Sequence, residues 1–324
     1  MLVFIIRRLM QAALVVAVMS VLVFAGIYMI GDPLAILASP EATELDREQI
    51  AKALGLDRPV WEQYLRFVGS ALGGDFGKSF VFGQPAMKLV VERMPATLEL
   101  ALTATVMSVL LGVPLGLYAG LRHHTVGARA IMAGSVLGFS LPNFWVGLML
   151  IMIFAVQLGW LPASGRGETV EFLGLQLSVF TADGWSHIVL PAITLGLSKC
   201  ALIIRLARAT AREVMLMDYV KFARAKGLNE KRVIGVHILK NIMVPITTVT
   251  GLELGALIAF AVITETIFSW PGMGKLLIDS IVQLDRPVVV AYLMVVVMML
   301  VIINLVVDIL YSVLDPRVRL GNAK

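Results

Sequence analysis

The sequence predicts an all-α membrane protein with six transmembrane helices, and three observations lead to that fold class. Of its 324 residues, 59% are hydrophobic and 15% are charged, whereas soluble domains average about 45–50% and about 25%. Six apolar runs are long enough to cross a bilayer, since about 20 helical residues span its hydrocarbon core. Basic loops alternate with loops of balanced or acidic charge, and the positive-inside rule then places both termini in the cytoplasm.

The chain divides by charge and hydropathy into four segments. Residues 1–30 are a cytoplasmic start and the first transmembrane helix, and residues 31–95 are an external segment. Residues 96–313 hold transmembrane helices 2–6, including a basic cytoplasmic loop at 205–245, and residues 314–324 form a cytoplasmic tail. The predicted spans cover residues 9–30, 96–121, 130–158, 188–204, 242–267 and 288–313.

The external segment is predicted to contain two short helices and a glycine-rich turn. Asp46 precedes the first helix, over residues 48–54. Apolar residues at helical spacing predict a second one, lying against the bilayer or a partner: Trp61, Tyr64, Leu65 and Val68. Residues 73–79 resemble a nucleotide-binding P-loop, but Leu72 stands where that motif needs its first glycine. We interpret them as a turn, and we expect no ATPase site in this chain.

The middle spans contain a glycine stripe and a break. Gly112, Gly116 and Gly120 lie on one helix face and allow another backbone to approach closely, either as plain bundle packing or as a moving interface. Residues 140–143 interrupt the third span. Because a broken helix must face protein or a water-filled cavity, Asn143 is a candidate for the translocation pathway, with repair of the kink as the alternative.

Four acids lie in or near the spans: Glu99, Glu253, Glu265 and Asp308. Three of them are near predicted span ends, where water is reachable, and only Glu253 is clearly deep. Intramembrane ionisable groups are costly and face the bundle interior. Glu253 is therefore a pathway or coupling candidate, with structural hydrogen bonding as the alternative, and a single deep acid disfavours a proton relay.

Several other chemistries lack support in the sequence. Cys200 is the single cysteine and can form no intrachain disulfide, and the four histidines show no metal-ligand spacing. The formal charge of +5 comes from loops predicted to be cytoplasmic rather than from a nucleic-acid surface. We expect no metal, no cofactor and no nucleic-acid partner for this chain, only membrane lipid around its spans.

The basic loop at 205–245 carries nine Lys and Arg residues against three acids. Asp218 is predicted to N-cap a helix over residues 219–226, and Gly227 to end it in a left-handed conformation. Asn229 would cap a second short helix. Helix caps and a glycine stop of this kind favour a docking element over a solvated loop that only fixes the orientation of the protein in the membrane.

The first of these two helices would present Tyr219, Phe222 and Ala223 on one side. The small residues Ala223, Ala225 and Gly227 would allow another backbone to approach closely.

The residues from 213 to 245 resemble the "EAA" coupling loop of ABC-importer permeases, and in detail that of the dipeptide/oligopeptide/nickel permease family. The matching positions in the loop are Asp218-Tyr219, Ala223-Arg224-Ala225-Lys226-Gly227-Leu228, Leu239-Lys240-Asn241 and Pro245. Further matches are Gly31-Asp32-Pro33 and residues 53–59, 96–100, 265–274 and 304–311. Ile30, Met217 and Lys240 depart from the family pattern, and Met217 removes an acid from the surface offered to a motor.

The resemblance implies a type I ABC-importer permease fold, with an external insertion after helix 1, in the bacterial cytoplasmic (inner) membrane. Such a permease pairs with a second homologous permease, with two ATPase subunits that bind ATP and Mg, and with an external solute-binding protein. ATP binding closes the ATPase dimer and drives alternating access. The residues implied to couple to an ATPase are Glu213, Asp218, Tyr219, Phe222, Ala223, Arg224, Ala225, Gly227 and Leu228.

The substrate expected from this resemblance is a di- or oligopeptide, with nickel chelates or glutathione-like molecules as alternatives in the same family. An ion-gradient-driven secondary carrier is an alternative of another class, and a non-transporting scaffold or receptor is a third. The single deep acid and the long coupling loop disfavour the secondary carrier, while the broken span and the small-residue stripes disfavour the scaffold.

Overall fold

The helices include the apolar runs, and three of them extend well beyond the predicted spans: Ala86–Leu121, Ala182–Met215 and Glu230–Ile267. A computed structural model of the protein describes residues 2–29, 43–45, 52 and 57–314. Its elements in chain order are α1 (Leu2–Met29), α2 (Val60–Leu72), α3 (Ala86–Leu121), α4 (Val126–Ser140), α5 (Asn143–Gln157), β1 (Val170–Phe172), β2 (Leu175–Leu177), α6 (Ala182–Met215), α7 (Asp218–Ala225), α8 (Glu230–Ile267), α9 (Met273–Val282) and α10 (Arg286–Leu314). Two stretches are π-helical, Ile151–Gln157 in α5 and Val233–Leu239 in α8.

Five of the described helices are long and apolar enough to cross a membrane: α1, α3, α6, α8 and α10. A sixth span results if α4 and α5 count as one, since they are bent by 105° at a short break. Pro142 at this break disfavours helical geometry in the preceding residue, and Leu141 is extended. The predicted interruption of the third span is therefore confirmed, as is the predominantly helical fold class.

Several predictions fall on residues outside the described ranges. They are the Gly31-Asp32-Pro33 match, the helix at 48–54 with its cap Asp46 (apart from Lys52), most of the match at 53–59, the departure at Ile30, and the tail beyond residue 314.

Two compact units can be distinguished by their internal contacts, Met1–Pro95 with Gly272–Val301 and Ala96–Pro271 with Ile302–Lys324. In the first unit, α2 packs against α1. The Tyr64 hydroxyl lies 2.9 Å from the Ser20 hydroxyl, and its ring meets that of Phe24 edge-on, with 5.3 Å between centroids. The predicted second helix of the external segment is thus confirmed, and its Tyr64 packs against α1 while Trp61 and Leu65 remain exposed.

The P-loop-like residues of the first unit form a turn, as predicted. Gly74 and Gly77 have φ of +77° and +86°, a left-handed conformation that glycine adopts at no steric cost. The Ser79 hydroxyl donates a hydrogen bond to the buried carboxylate of Asp285. Ser79 is therefore committed to a structural contact in this unit.

The second unit is built on close packing of α3 against α6. A Cβ at Gly116 would lie 2.5 Å from the carbonyl oxygen of Ile204, and one at Gly120 would lie 3.0 Å from Ala211 Cβ. In the other direction, a Cβ at Gly196 would lie 2.9 Å from the carbonyl oxygen of Ala104. Small residues on both helices thus let the backbones touch, and the close approach predicted from the glycine stripe is confirmed.

A β-hairpin precedes α6 in the same unit. Its two strands pair antiparallel, with Phe172 opposite Leu175. The two residues between them, Leu173 and Gly174, have φ of +52° and +79°, as two-residue turns with φ > 0 at both positions require. We call the part of the second unit around this hairpin the hairpin end, and the part around α7 the α7 end.

Candidate coupling site and membrane pathway

The short helix α7 begins without the predicted side-chain cap. Its N-cap position is Met217, with no side-chain hydrogen bond, and Asp218 is the first helical residue. The Asp218 carboxylate instead accepts a hydrogen bond of 3.0 Å from Lys221 Nζ. The prediction that Asp218 is the N-cap is therefore wrong. The helix starts one residue earlier because the turn at 216–217 leads directly into it, yet an acid in the first turn still favours the helix dipole.

The end of α7 agrees with its prediction. Gly227 has φ of +75°, and its N–H donates to the carbonyl oxygen of Arg224 at 2.9 Å. Leu228 N–H donates back to the carbonyl oxygen of Ala223 at 3.3 Å. The left-handed stop predicted from the sequence is confirmed.

The segment after Gly227 starts as predicted but is not a separate helix. The Asn229 side chain accepts a hydrogen bond of 3.0 Å from Lys231 N–H, so the predicted cap is confirmed. The helix then continues without interruption to Ile267 as α8. The second short helix was wrongly separated from the span, because Val233 and Ile238 are fully buried and hold this stretch in the same core as the span.

The two faces of α7 differ in burial. Val220 and Ala223 are buried, whereas Tyr219 and Phe222 are 42% and 61% exposed. The prediction that Ala223 lies on the same side as the two aromatics is wrong, because Ala223 packs with Val220 into an apolar cluster with residues of other helices. Arg224, Ala225 and the α6 residue Glu213 are exposed, and Leu228 is half-buried against the core.

One apolar cluster joins α7 to three long helices. Its buried members are Val113, Ile203, Ala207, Ala211, Val214, Val220, Ala223, Val233, Ile238, Ile242 and Ile246. They come from α3, α6, α7 and α8. A displacement of α7 must therefore move these helices or break this cluster, since close-packed interiors transmit strain.

Arg224 on α7, one of the residues implied to couple to an ATPase, forms an ion pair within this chain. Arg224 Nη2 donates to Glu230 Oε1 at 2.7 Å. Hydrogen bonding to Arg224 lowers the pKa of Glu230, and hydrogen bonding to Glu230 raises the pKa of Arg224. Partial burial raises the pKa of Tyr219, so its phenol remains neutral and able to donate a hydrogen bond. The Arg224–Glu230 pair bridges the Gly227 turn.

The two pathway candidates lie in different places. Asn143 is half-buried at the first position of α5, directly after the break. Glu253 lies on α8 and forms an ion pair with Lys199 on α6, a residue that the sequence reasoning did not consider. The side chain of Glu253 is 30% exposed and that of Lys199 is 26% exposed. The structure therefore places an ion pair, rather than a lone acid, among the spans.

A cavity of about 300 Å³ lies beside this ion pair within the second unit. It is lined by α3, α8 and the last part of α10, and its polar groups are mostly threonine hydroxyls, from Thr105, Thr247, Thr248 and Thr250. Thr105 and Thr250 also line a space of about 10 Å³ in contact with Lys199 and Glu253. The rest of the lining is apolar, from Val109, Met243, Ile246, Leu254 and Val307.

The hairpin end contains two buried acids, Glu99 and Glu265. Both Glu99 carboxylate oxygens are bonded: Oε1 accepts from Ser178 N–H at 2.6 Å and Val179 N–H at 2.8 Å, while Oε2 accepts from Arg166 Nε at 2.9 Å. Glu265 is fully buried and accepts from Thr97 Oγ1 at 2.6 Å. The expectation that water reaches Glu99 and Glu265 is wrong, because both are buried. Loop 159–181 covers Glu99 through Arg166, Ser178 and Val179.

Comparisons with known proteins agree with this architecture. A family model described as binding-protein-dependent transport system inner membrane component matches residues 112–320, and the corresponding N-terminal model matches residues 1–101. The chain is 39% identical to the dipeptide transport system permease protein DppB of Escherichia coli K12, over 98% of this chain and 99% of that protein.

Two further relatives have similar identity. The oligopeptide transport system permease protein AppB of Bacillus subtilis is 38% identical, over 89% of this chain and 90% of that protein. The glutathione transport system permease protein GsiC of Escherichia coli K12 is 37% identical, over 98% and 99%. The MetNI methionine ABC transporter matches with a TM-score of 0.53 at 14% identity, over 71% of this chain and 97% of that chain, which supports the fold alone.

The fold and these similarities define the class: this is a permease subunit of an ABC importer with the type I fold. The chain belongs to the binding-protein-dependent transport system inner membrane component family, within which it resembles the peptide permeases. It is an inner-membrane component of a binding-protein-dependent transport system. Family membership sets aside the secondary carrier and the non-transporting scaffold.

Proposed function

We propose that the chain forms half of the translocation pathway of a short-peptide importer, and that α7 couples this pathway to ATP hydrolysis in partner subunits. The observation that carries the proposal is the two-faced environment of α7. Its inner face is fixed in the cluster that joins α3, α6 and α8, while Tyr219 and Phe222 are exposed on its outer face.

The outer face of α7 has the composition of an interface. Two aromatic side chains stand close together on one short helix, and aromatic residues are the commonest anchors of protein contacts. Lys226 Nζ lies 4.6 Å from the centroid of the Phe222 ring, and Leu216 and Met217 extend the apolar surface. On docking, Arg224 would release Glu230 and bind an acid of the ATPase instead.

The partners and the orientation follow from the same proposal. A second homologous permease completes the pathway, two ATPase subunits hold ATP and Mg, and an external solute-binding protein delivers the ligand. The α7 end and both termini face the cytoplasm, because the basic residues of the chain are concentrated in the loops on that side. The hairpin end faces the outside.

The substrate class is inferred from the relatives. Three relatives with high coverage are named as dipeptide, oligopeptide and glutathione transport permeases, and glutathione is itself a small peptide derivative. We therefore propose short peptides as the substrate, with a glutathione-like molecule as the second candidate.

The coupling role can be tested with two matched phenylalanines. Phe222→Ala removes an exposed aromatic of α7, and Phe172→Ala removes a similarly exposed one of the hairpin. We expect Phe222→Ala to weaken co-purification of the ATPase subunits with the permease pair and to lower ligand-stimulated ATP hydrolysis. Phe172→Ala should leave ATPase co-purification unchanged. Equal co-purification of the two variants would contradict docking through α7.

A further inference from the structure

An ion pair lies at mid-depth of the second unit. Lys199 is close to the middle of α6, roughly 25 Å from each end of that helix at a rise of about 1.5 Å per residue. Its partner Glu253 is on α8, and the two side chains are in direct contact. Ionisable residues within membrane helices are rare and mark solute pathways or pair with one another.

The pair is accessible, and three hydroxyl-bearing residues lie beside it together with four apolar ones. About a quarter of the Lys199 side chain and 30% of that of Glu253 are exposed. The adjoining space is lined by Thr105, Ser108 and Thr250. Thr250 Oγ1 is buried without a hydrogen-bond partner among the described residues, and an unsatisfied buried hydroxyl is costly. A polar solute reaching this place would find one positive group, one negative group and a free hydroxyl.

We propose that Lys199 and Glu253 bind the charged termini of the transported peptide, Glu253 receiving the α-ammonium and Lys199 the α-carboxylate. This inference rests on the proposed peptide import and names the groups that recognise the substrate inside the membrane. The site carries no net charge, so it matches a zwitterion better than it matches a simple cation or anion.

Exchange of partners makes such binding energetically reasonable. Separating a partly buried ion pair leaves uncompensated charges and costs several kcal/mol. A zwitterion avoids that cost, because each side chain gains an opposite charge as it loses its original partner. An extended dipeptide is at most about 7 Å long, and the flexible four-carbon stem of a lysine can swing over such a distance.

A purely structural role, in which the pair fastens α6 to α8, predicts different behaviour. A structural pair contributes to assembly but has no preference for peptide termini, and well-packed neutral residues can often replace it at little cost. The two accounts therefore differ in one measurable respect. Only peptide-terminus binding predicts that a peptide with free termini, but not a capped one, protects a thiol placed beside the pair.

The test uses the assembled permease–ATPase complex in nanodiscs. A Thr105→Cys variant in a Cys200→Ser background places one thiol beside the pair, and its modification by a cationic methanethiosulfonate is timed. Dialanine at twice its dissociation constant should slow modification about threefold, as simple occupancy requires. The capped analogue N-acetyl-dialanine amide should not slow it.

A double variant gives a second, independent readout. We expect Lys199→Met/Glu253→Gln in the same background to assemble with the ATPases, to lose the protection by dialanine and to transport it at least about tenfold more slowly, which is ~1.4 kcal/mol. Equal protection by the free and capped peptides, no protection by either, or normal transport by the double variant would each overturn the proposal.

Uptake by the unsubstituted complex separates this inference from the proposed function. If that complex, supplied with its binding protein, carries no peptide into proteoliposomes, peptide import itself is wrong. If it carries peptide while the thiol shows no preference for free termini, only the role of Lys199 and Glu253 fails.

Discussion

Different kinds of interaction stabilise the two ends of the second unit. At the hairpin end, a buried carboxylate, that of Glu99, binds Arg166 and two backbone N–H groups, and Trp270 Nε1 donates to the carbonyl oxygen of Ala96 at 2.9 Å. At the α7 end, the buried residues are aliphatic, and the ion pair Arg224–Glu230 is exposed.

The difference indicates how each end responds to force or to mutation. A buried polar network is satisfied only in one arrangement, and losing one member leaves the others unpaired. An apolar cluster loses only the contacts that are removed, so it can shift as a body and remain packed. The hairpin end is therefore suited to hold a fixed shape, and the α7 end to transmit a displacement from a partner.

The largest predicted effect is at the hairpin end. Glu99→Leu would leave Arg166 and the N–H groups of Ser178 and Val179 buried without their acceptor. We expect a loss of about 3–5 kcal/mol in the free energy of unfolding, measured by thermal unfolding in detergent. The control Glu171→Leu, at an exposed hairpin position, should change stability by less than about 0.5 kcal/mol. Similar losses in both would refute the polar-network account.

The next effect concerns the α3–α6 contact that links the two ends. A Cβ at Gly116 would meet backbone and Ala207 Cβ within 2.7 Å, so Gly116→Ala should destabilise the protein by about 1–3 kcal/mol through overpacking. Gly134→Ala, where a Cβ has nothing within 4 Å, should stabilise by about 0.4–1 kcal/mol. The prediction fails if the two alanines shift the unfolding temperature in the same direction.

A smaller effect is expected from the inner face of α7. Val220→Ala removes two methyl groups from a fully buried side chain and should cost about 1–2 kcal/mol. The loss should appear as faster hydrogen exchange in α7 rather than as global unfolding. Val126→Ala, at a residue 73% exposed, is the control and should leave exchange in α7 unchanged; an equal increase there would contradict anchoring by Val220.

The smallest effect is a pH dependence at the α7 end. Because the folded-state pKa of Glu230 is lowered from its ordinary 4.5, the stabilisation by Arg224 is complete above that ordinary value and is lost as the pH falls through the lowered one. Both side chains are about half exposed, so Glu230→Gln should cost below about 1 kcal/mol at pH 7. The difference in the free energy of unfolding between this variant and the unsubstituted protein should vanish in acid. A difference that grows in acid would contradict the lowered pKa of Glu230.

The features predicted correctly from sequence are those that local residues control. Apolar runs predict the spans, Pro142 predicts the break, and Gly227 and Asn229 predict the end of α7 and the start of α8. The glycine stripe on α3 indicates close packing because its four-residue spacing is a property of one helix.

The features that were missed depend on residues distant in sequence. Glu99 and Arg166 are 67 positions apart, Thr97 and Glu265 are 168 apart, and Lys199 and Glu253 are 54 apart. No local pattern shows which acids a loop will cover or which lysine will face an acid. The burial of Ala223 was misjudged for the same reason, since its partners belong to other helices.

The most direct test of coupling through α7 compares two glycines with the same backbone strain. Gly227 and Gly74 have φ of +75° and +77°, and a Cβ at either position has nothing within 4 Å, so valine costs about 1–3 kcal/mol of local strain at each. Ligand-stimulated ATP hydrolysis and peptide uptake are measured in the reconstituted transporter. Coupling through α7 predicts that Gly227→Val loses both activities while Gly74→Val retains them. Full retention of both by an assembled Gly227→Val complex would contradict it.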